Sequence, residues 1–134
     1  IRFSSKLQSM IKQDHTNKIF ILDKFGESES AYESSKLTFM GGSLFEHGGQ
    51  NPLEPLSKGC FVFSGQYINN FKEIYSELER LSMAKVLNGN SAKEISFVMN
   101  KYIDMEINNH KEIQDYFNLN IKQLNLMIDK VEEC

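Results

Sequence analysis

Short apolar runs alternate along this chain with longer stretches in which apolar residues return every three or four positions. Apolar runs of about four residues bounded by polar ones are typical of buried parallel strands. Such runs lie at residues 19–22, 37–40, 60–63 and 84–87. Helical spacing predicts helices at residues 2–13, 28–34 and 52–57, and others beginning at Asn70, at Ser91 and near Asn108. Strands alternating with helices predict an α/β fold, a parallel sheet with helices on both faces.

The last predicted helix is amphipathic. Apolar residues recur in it at spacings of three and four, namely Ile113, Phe117, Ile121, Leu124, Ile128 and Val131. This apolar face could pair with a second chain, but docking on its own domain is the more common outcome.

Residues 41–55, GGSLFEHGGQNPLEP, are the segment most suggestive of a ligand site. In open α/β sheets ligands gather outside the carboxyl ends of the strands, and Gly41 and Gly42 follow directly after the strand predicted at 37–40. Together with Gly48 and Gly49 they could take φ > 0 and let a phosphate approach the backbone. The alternative is that these glycines only form tight turns.

The second half of that segment predicts a helix start with two interpretations. Asn51 suits the N-cap position, Pro52 the first helical position, and Glu54 the third. Glu54 then either closes a capping box with the Asn51 backbone N–H or accepts hydrogen bonds from the hydroxyls of a bound ribose. Spacing alone favours the capping box. Pro55 lacks the N–H that would bond the Asn51 carbonyl, so the first turn should be irregular.

Composition narrows the function classes. The chain has 134 residues, 40% of them hydrophobic, which is enough for one domain with a core. Its net charge of -3 argues against nucleic acid as a main partner, because nucleic-acid binding normally requires a basic face. The two cysteines, Cys60 in an apolar run and Cys134, do not suggest a disulfide framework, so a reducing compartment is expected with Cys60 in the core.

Targeting signals are also lacking in this sequence. No apolar run approaches the roughly 18 residues of a membrane span, and no signal-peptide pattern is present. The first residue is Ile1 rather than Met, so we expect the chain to be part of a longer protein.

Four motifs, in order and in spacing, resemble the donor-binding half of the bacterial 3-deoxy-D-manno-octulosonic acid (Kdo) transferases. That family shows Asp-Thr-Met-Gly-Glu-Leu, a strand ending in Val-Gly-Gly-Ser, then Gly-Gly-His-Asn-Pro-Leu-Glu-Pro, and Gly-Pro-His followed by Asn-Phe. The matching residues here are Asp23, Gly26, Glu27, Gly41, Gly42, Ser43, Gly48, Gly49, Asn51, Pro52, Leu53, Glu54, Pro55, Gly65, Asn70 and Phe71. The resemblance covers residues 19–87, about half of the chain.

The resemblance implies a Rossmann-like domain, the C-terminal half of a GT-B glycosyltransferase. Such enzymes transfer Kdo from CMP-Kdo to the lipid A precursor in lipopolysaccharide biosynthesis, at the cytoplasmic face of the bacterial inner membrane, without a metal or cofactor. Residues 1–134 would be part of the nucleotide-sugar-binding domain, with terminal helices at about 91–133. The N-terminal domain of the family, which holds the general base and the lipid-acceptor and membrane-facing surface, has no counterpart in this sequence. This chain alone is therefore expected to bind CMP without catalysing transfer.

The same resemblance implies the site residues. Phe25, Gly26 and Glu27 would line one side of a CMP pocket. The other side would be formed by the residues of the helix start, Asn51, Pro52, Leu53 and Glu54. No catalytic residue and no metal ligand are assigned to this chain.

Departures from the family pattern occur at several positions. Lys24 and Phe25 replace Thr-Met, and Gln66-Tyr67 replaces Pro-His. Gln50 replaces a histidine and cannot carry a titrating proton. The nearby His47 is offset by three residues and is expected to be a solvated loop residue.

Two alternatives to Kdo transfer remain open at the level of sequence. One is another GT-B glycosyltransferase that uses a UDP-sugar. The other is a nucleotide-binding or interaction module without catalysis, which the altered motif residues would favour.

Overall fold

Three short parallel strands form a sheet in the computed structural model, which describes residues 21–23, 26–89, 91–103 and 110–132. The strands are β1 (Leu37–Met40), β2 (Phe61–Ser64) and β3 (Ala84–Val86), and their order in the sheet is β1-β2-β3. The central strand β2 pairs in parallel with both neighbours. The strands predicted at 37–40, 60–63 and 84–87 are therefore confirmed to within one residue at each end.

The helices follow the predicted alternation. Within the described ranges they are α1 (Ser28–Glu33), α2 (Leu53–Ser57), α3 (Lys72–Arg80), α4 (Ala92–Ile103) and α5 (His110–Glu132). Two 3₁₀ turns, Gly41–Leu44 and Asn69–Phe71, follow β1 and precede α3. The helix predicted at 2–13 lies outside the described residues. None of the described helices is both long and apolar enough to cross a membrane.

The strand predicted at 19–22 is wrong where the structure describes it. Ile21 and Leu22 are not in a strand, and they are 87% and 39% exposed. Residues 19 and 20 lie outside the described residues. Four apolar residues in a row indicate a buried strand only when the chain buries them, and the described part of this run is exposed.

The two faces of the sheet bury different residues because successive side chains of a strand point to opposite sides. On one face Phe61 and Phe63 pack against α4, and Tyr102 meets Phe63 edge-on with ring centroids 5.1 Å apart. On the other face Val62 packs with the core residues of α2, α3 and α5. The predicted cover of helices on both faces is confirmed, and the fold is compatible with a Rossmann-like domain.

The larger core lies on the Val62 face. Its buried members are Met40, Leu56, Val62, Tyr75, Leu78, Met83, Ala84, Ile113 and Tyr116. Helical spacing of apolar residues after Asn70 predicts an inward face of Ile74, Leu78 and Leu81, and the structure confirms it, with Leu78 fully buried and Ile74 and Leu81 packed against the same core. Tyr75, which this prediction does not include, is also fully buried.

Helix α5 docks on its own domain through its first half. Ile113 and Tyr116 are buried and Phe117 packs beside them, which confirms the predicted docking there. Ile121, one turn further along, is 55% exposed. The side chains of Leu124, Ile128 and Val131, further along the predicted apolar face, lie outside the described residues.

Truncating a buried and an exposed leucine should affect the stability of the fold differently. We expect Leu56→Ala to lower the free energy of unfolding by about 2–5 kcal/mol, because it removes buried methyl groups and leaves a cavity. Leu119→Ala is the matched control, since Leu119 is 56% exposed and its loss should change stability by no more than about 0.5 kcal/mol. Urea unfolding followed by circular dichroism measures both. Equal losses in the two variants would contradict this core.

Candidate functional site

Two loops leave the sheet at the same edge, because β1 and β2 run parallel and both loops follow their carboxyl ends. The first covers residues 41–50 and the second residues 65–71. The Tyr67 N–H donates to the Ser43 carbonyl at 3.1 Å, and the Asn70 N–H donates to the Gly48 carbonyl at 3.0 Å. The two loops are therefore tied together at both ends, and together they are called the loop layer below.

Ser43 anchors the loop layer to the sheet. Its side chain is fully buried; the hydroxyl donates to the Met40 carbonyl and accepts from the Gly65 N–H at 2.6 Å. One hydroxyl thus joins the end of β1 to the end of β2. The sequence marks Ser43 only as a position of the motif. Its structural role depends on a hydrogen-bond partner 22 residues away, which local sequence does not reveal.

The glycines of the first loop make room for the chain itself. A Cβ on Gly42 would lie 2.8 Å from Cδ of Gln50, and a Cβ on Gly49 would lie 2.8 Å from the Tyr67 carbonyl oxygen. The predicted positive φ is confirmed at Gly48 and Gly49 and is wrong at Gly41 and Gly42. At Gly42 and Gly49 the space that a side chain would fill is occupied by the protein itself. Gly41 is different, since a Cβ there would meet nothing within 4 Å.

The predicted helix start is present, shifted by one residue. α2 begins at Leu53, and the Asn51 side-chain oxygen accepts a hydrogen bond from the Leu53 N–H at 3.0 Å. The Leu56 N–H donates to the Pro52 carbonyl at 3.2 Å. This first helical bond reaches Pro52 rather than Asn51, as expected from the missing N–H of Pro55.

Glu54 faces the neighbouring helix instead of its own cap. Its carboxylate accepts a hydrogen bond from the Ser28 hydroxyl at 3.2 Å, at the first residue of α1. Among the described contacts this bond takes the place of the capping-box bond to the Asn51 N–H. Glu54 therefore points toward the corner that precedes α1.

That corner and the α2 start lie side by side. Gly26 has φ +83°, a left-handed conformation that suits glycine, and Glu27 immediately precedes α1. Phe25, the remaining predicted member of this corner, lies outside the described residues. The structure thus brings Gly26 and Glu27 close to Glu54 through the contact of Ser28 with Glu54.

The α2 start exposes only part of its predicted site residues. Asn51 and Glu54 are exposed, whereas Pro52 is buried and Leu53 packs against the larger core. The side chains of Asn51 and Glu54 are therefore available to a ligand, and those of Pro52 and Leu53 support them from below.

A lysine joins α1 and α2 at their other end. The Lys58 ammonium pairs with Glu29, and it lies 3.4 Å from a carboxylate oxygen of Glu33. Hydrogen bonding to Lys58 is the main cause that lowers the pKa of Glu29, and Glu29 in turn raises the pKa of Lys58. With the bond of Ser28 to Glu54, the two helices are linked at both ends.

Tyr32 is a neighbour of this site that sequence reasoning missed. Burial is the main cause that raises its pKa, and the Glu54 carboxylate raises it further. The backbone carbonyl of Tyr32 accepts from the Cys60 thiol at 3.2 Å, and Cys60 is fully buried as predicted. No sequence motif marks Tyr32, because its partners come from α2 and the start of β2.

The charge balance of the site is negative. Residues 41–55 and 65–71 contain no lysine or arginine, while Glu27 and Glu54 lie at the adjoining corners. Lys58 is engaged with two glutamates. The described part of the chain holds no cluster of three or more His, Cys, Asp or Glu side chains suited to a metal ion. The carboxylates of Glu27, which is partly buried, and Glu54, which is exposed, are thus best suited to accept hydrogen bonds from hydroxyl groups.

The remaining departures from the family pattern lie in the loop layer. The side-chain oxygen of Gln50 is engaged within the protein, because it accepts from the Gly42 N–H at 2.8 Å. Tyr67 takes part through its backbone. His47 is exposed, which agrees with the predicted solvated loop histidine.

The link at Lys58 generates a prediction about pH. In Lys58→Gln the pKa of Glu29 should rise toward the ordinary value of a glutamate, because its ion pair is lost. The lowered pKa means that Glu29 contributes stability above the pKa it has in the unfolded chain. That contribution is lost as the pH falls through its lower folded pKa. NMR titration of the carboxyl carbons measures the pKa of Glu29 in the unmodified chain and in Lys58→Gln. An equal pKa in the two proteins would contradict the ion pair.

Comparison with known proteins places these motifs in a glycosyltransferase context. No protein-family model matches the chain. It is 40% identical over 65 residues to a 3-deoxy-D-manno-octulosonic acid transferase of Haemophilus influenzae, covering 48% of this chain and 15% of that protein. It is 35% identical over 119 residues to a bifunctional glycosyltransferase/methyltransferase of Fusobacterium nucleatum subsp. nucleatum, covering 86% of this chain and 19% of that protein.

The chain therefore spans less than a fifth of the length of either relative. The second match is longer than the 69 residues of the motif region at 19–87 and so extends beyond the motifs. The chain is related to glycosyltransferases.

Proposed function

We propose that this chain supplies the donor-binding part of a Kdo transferase, which transfers Kdo from CMP-Kdo to the lipid A precursor. The observation that carries the proposal is the bond of the Ser28 hydroxyl with Glu54, which sets the Gly26–Glu27 corner before α1 beside the Asn51–Glu54 helix start. The relative in Haemophilus influenzae named as a Kdo transferase supports the sugar donor.

In the proposed reaction a hydroxyl oxygen of the acceptor attacks the anomeric carbon of Kdo. The bond from that carbon to the phosphate oxygen breaks, and CMP leaves with the electron pair. The hydroxyl proton passes to a base outside this chain. Residues of this chain bind and orient the nucleotide and are not themselves reactants.

The ribose is the part of CMP that these residues suit best. The carboxylates of Glu27 and Glu54 accept hydrogen bonds from the two ribose hydroxyls, and such charge-assisted bonds are stronger than neutral ones. The open side of Gly41 is where the phosphate has room to approach the backbone.

Charge favours a nucleoside monophosphate over a nucleoside diphosphate at this site. A second phosphate adds negative charge beside Glu27 and Glu54, and neither loop of the loop layer offers a lysine or arginine to offset it. The complete donors do not differ in this way, because the carboxylate of Kdo gives CMP-Kdo the same total charge as a UDP-sugar. The relative named as a Kdo transferase is what favours CMP-Kdo over the alternative of a GT-B enzyme that uses a UDP-sugar. A non-catalytic nucleotide-binding module is the other alternative, and it shares the same site.

The acceptor and the membrane belong to the remainder of the protein in this proposal. The lipid A precursor and the cytoplasmic face of the inner membrane are contacted by an N-terminal domain. No metal or cofactor takes part in the transfer.

The donor class is tested by calorimetric titration of the chain with CMP and with UDP. We expect CMP to bind more tightly, because one phosphate suits the negatively charged site better than two. Raising the salt concentration is the control and should narrow the difference between the two nucleotides. A clear preference for UDP would overturn the proposal.

The role of Glu54 is tested by Glu54→Gln. CMP binding should weaken by about tenfold, since a hydrogen bond to a charged acceptor contributes roughly 1.5–3 kcal/mol and its neutral counterpart less. Thermal stability should stay nearly unchanged, because glutamine can still accept from Ser28 at this exposed position. Glu73→Gln, an exposed glutamate in the first turn of α3, is the matched control and should affect neither quantity. A large loss of melting temperature with unaltered binding would assign Glu54 a purely structural role.

A further inference from the structure

Gln50 is held at two points, and the points lie on different parts of the fold. Its side-chain oxygen accepts from the Gly42 N–H at 2.8 Å, in the 3₁₀ turn after β1. Its backbone carbonyl accepts from the Tyr75 hydroxyl at 3.3 Å, and Tyr75 lies on α3. The residue that immediately precedes Asn51 is thus connected to both the loop layer and the core.

Tyr75 provides the rigid end of this connection. The residue is fully buried in the larger core beside Leu56, Val62 and Leu78. Burial is the main cause that raises the pKa of Tyr75, while the Ser64 hydroxyl opposes it to a smaller extent. The phenol therefore stays protonated at neutral pH, and its hydroxyl donates a hydrogen bond to the backbone carbonyl of Gln50.

Gly42 provides the other end, and its lack of a side chain is explained by Gln50. The space that a Cβ would fill is taken by Cγ and Cδ of Gln50, at 2.9 and 2.8 Å. Gly42 does not have a positive φ, so its backbone conformation is open to other residues. Glycine is needed at position 42 because the Gln50 side chain crosses directly over it.

We propose that Gln50 is a positioning residue, which clamps the Asn51–Glu54 helix start between the Gly42 turn and the buried Tyr75. This inference rests on the proposed nucleotide site and deepens it. A helix start that is already fixed loses less conformational freedom when a ligand binds, so the clamp raises affinity without contacting the nucleotide. The Gly42 N–H serves this clamp and is not a ligand donor.

The clamp is tested first without a ligand, by amide hydrogen exchange. Gln50→Met keeps the length of the side chain but removes the oxygen that accepts from Gly42. We expect the Gly42 amide to exchange about three- to tenfold faster in this variant, as for the loss of one ordinary hydrogen bond. Unchanged exchange at Gly42 would overturn the clamp whether or not CMP binds.

The effect on the site is tested by CMP titration of Gln50→Met and Tyr75→Phe. Each should weaken CMP binding by about three- to tenfold. Tyr102→Phe is the matched control, because Tyr102 packs on the opposite face of the sheet, and it should bind CMP like the unmodified chain. Unmodified affinity in both clamp variants would overturn the inference.

A double variant separates a clamp from a ligand contact at Gly42. Gly42→Ala should weaken CMP binding because the added methyl group displaces Gln50. In the Gly42→Ala/Gln50→Ala variant the clash is absent, so binding should equal that of Gln50→Ala alone. A further loss in the double variant would show that the ligand itself needs Gly42 and would overturn the inference. If the unmodified chain does not bind CMP, the proposed function fails, and amide exchange still decides the clamp.

Discussion

Parallel pairing of β1 with β2 is the constraint on which the rest of this structure depends. It forces the loops after both strands to leave from one edge, where they meet and bond to each other. The buried hydroxyl of Ser43 completes this arrangement by joining the two strand ends. An antiparallel pair would send the two loops to opposite edges, and neither the loop layer nor the adjoining corners would exist.

The adjoining corners owe their position to links between α1 and α2. The bond of Ser28 with Glu54 joins the beginnings of the two helices, and Lys58, just after α2, pairs with Glu29 in the first turn of α1 and lies 3.4 Å from Glu33 at the end of α1. Both links are exposed and individually weak. Their combined effect is to hold the start of α1, next to Glu27, against the α2 residue Glu54, and the nearby Tyr32 is half-buried.

The proposed site presents the carboxylates of Glu27 and Glu54, and the loop layer holds no lysine or arginine. Of the glycines that a motif-based view assigns to phosphate binding, Gly42 and Gly49 are engaged within the protein, by Gln50 and by the backbone of Tyr67. The proposal of nucleotide binding therefore rests on hydrogen bonds from hydroxyl groups to these carboxylates and not on the glycines.

The sequence by itself determined the alternation of strands and helices. The spacing at which apolar residues recur and the residues that start a helix are both local properties of the chain. The sequence located β1 and β2 within one residue, and it placed the start of α2 one residue early, since Pro52 rather than Asn51 is the N-cap although the Asn51 side chain accepts from the Leu53 N–H. It failed at Ile21 and Leu22, which are exposed and not in a strand. Tyr75 was within reach of sequence reasoning, because it lies three residues before Leu78 on the same helical stripe.

Only the tertiary structure decided what the motif residues contact. Glu54 bonds to a residue 26 positions away and Gln50 to one 25 positions away, and neither spacing follows from local geometry. A capping box and a link between helices use the same glutamate, so residue type cannot distinguish them. The choice is made by which helix the sheet places alongside, and that depends on strand order and pairing direction.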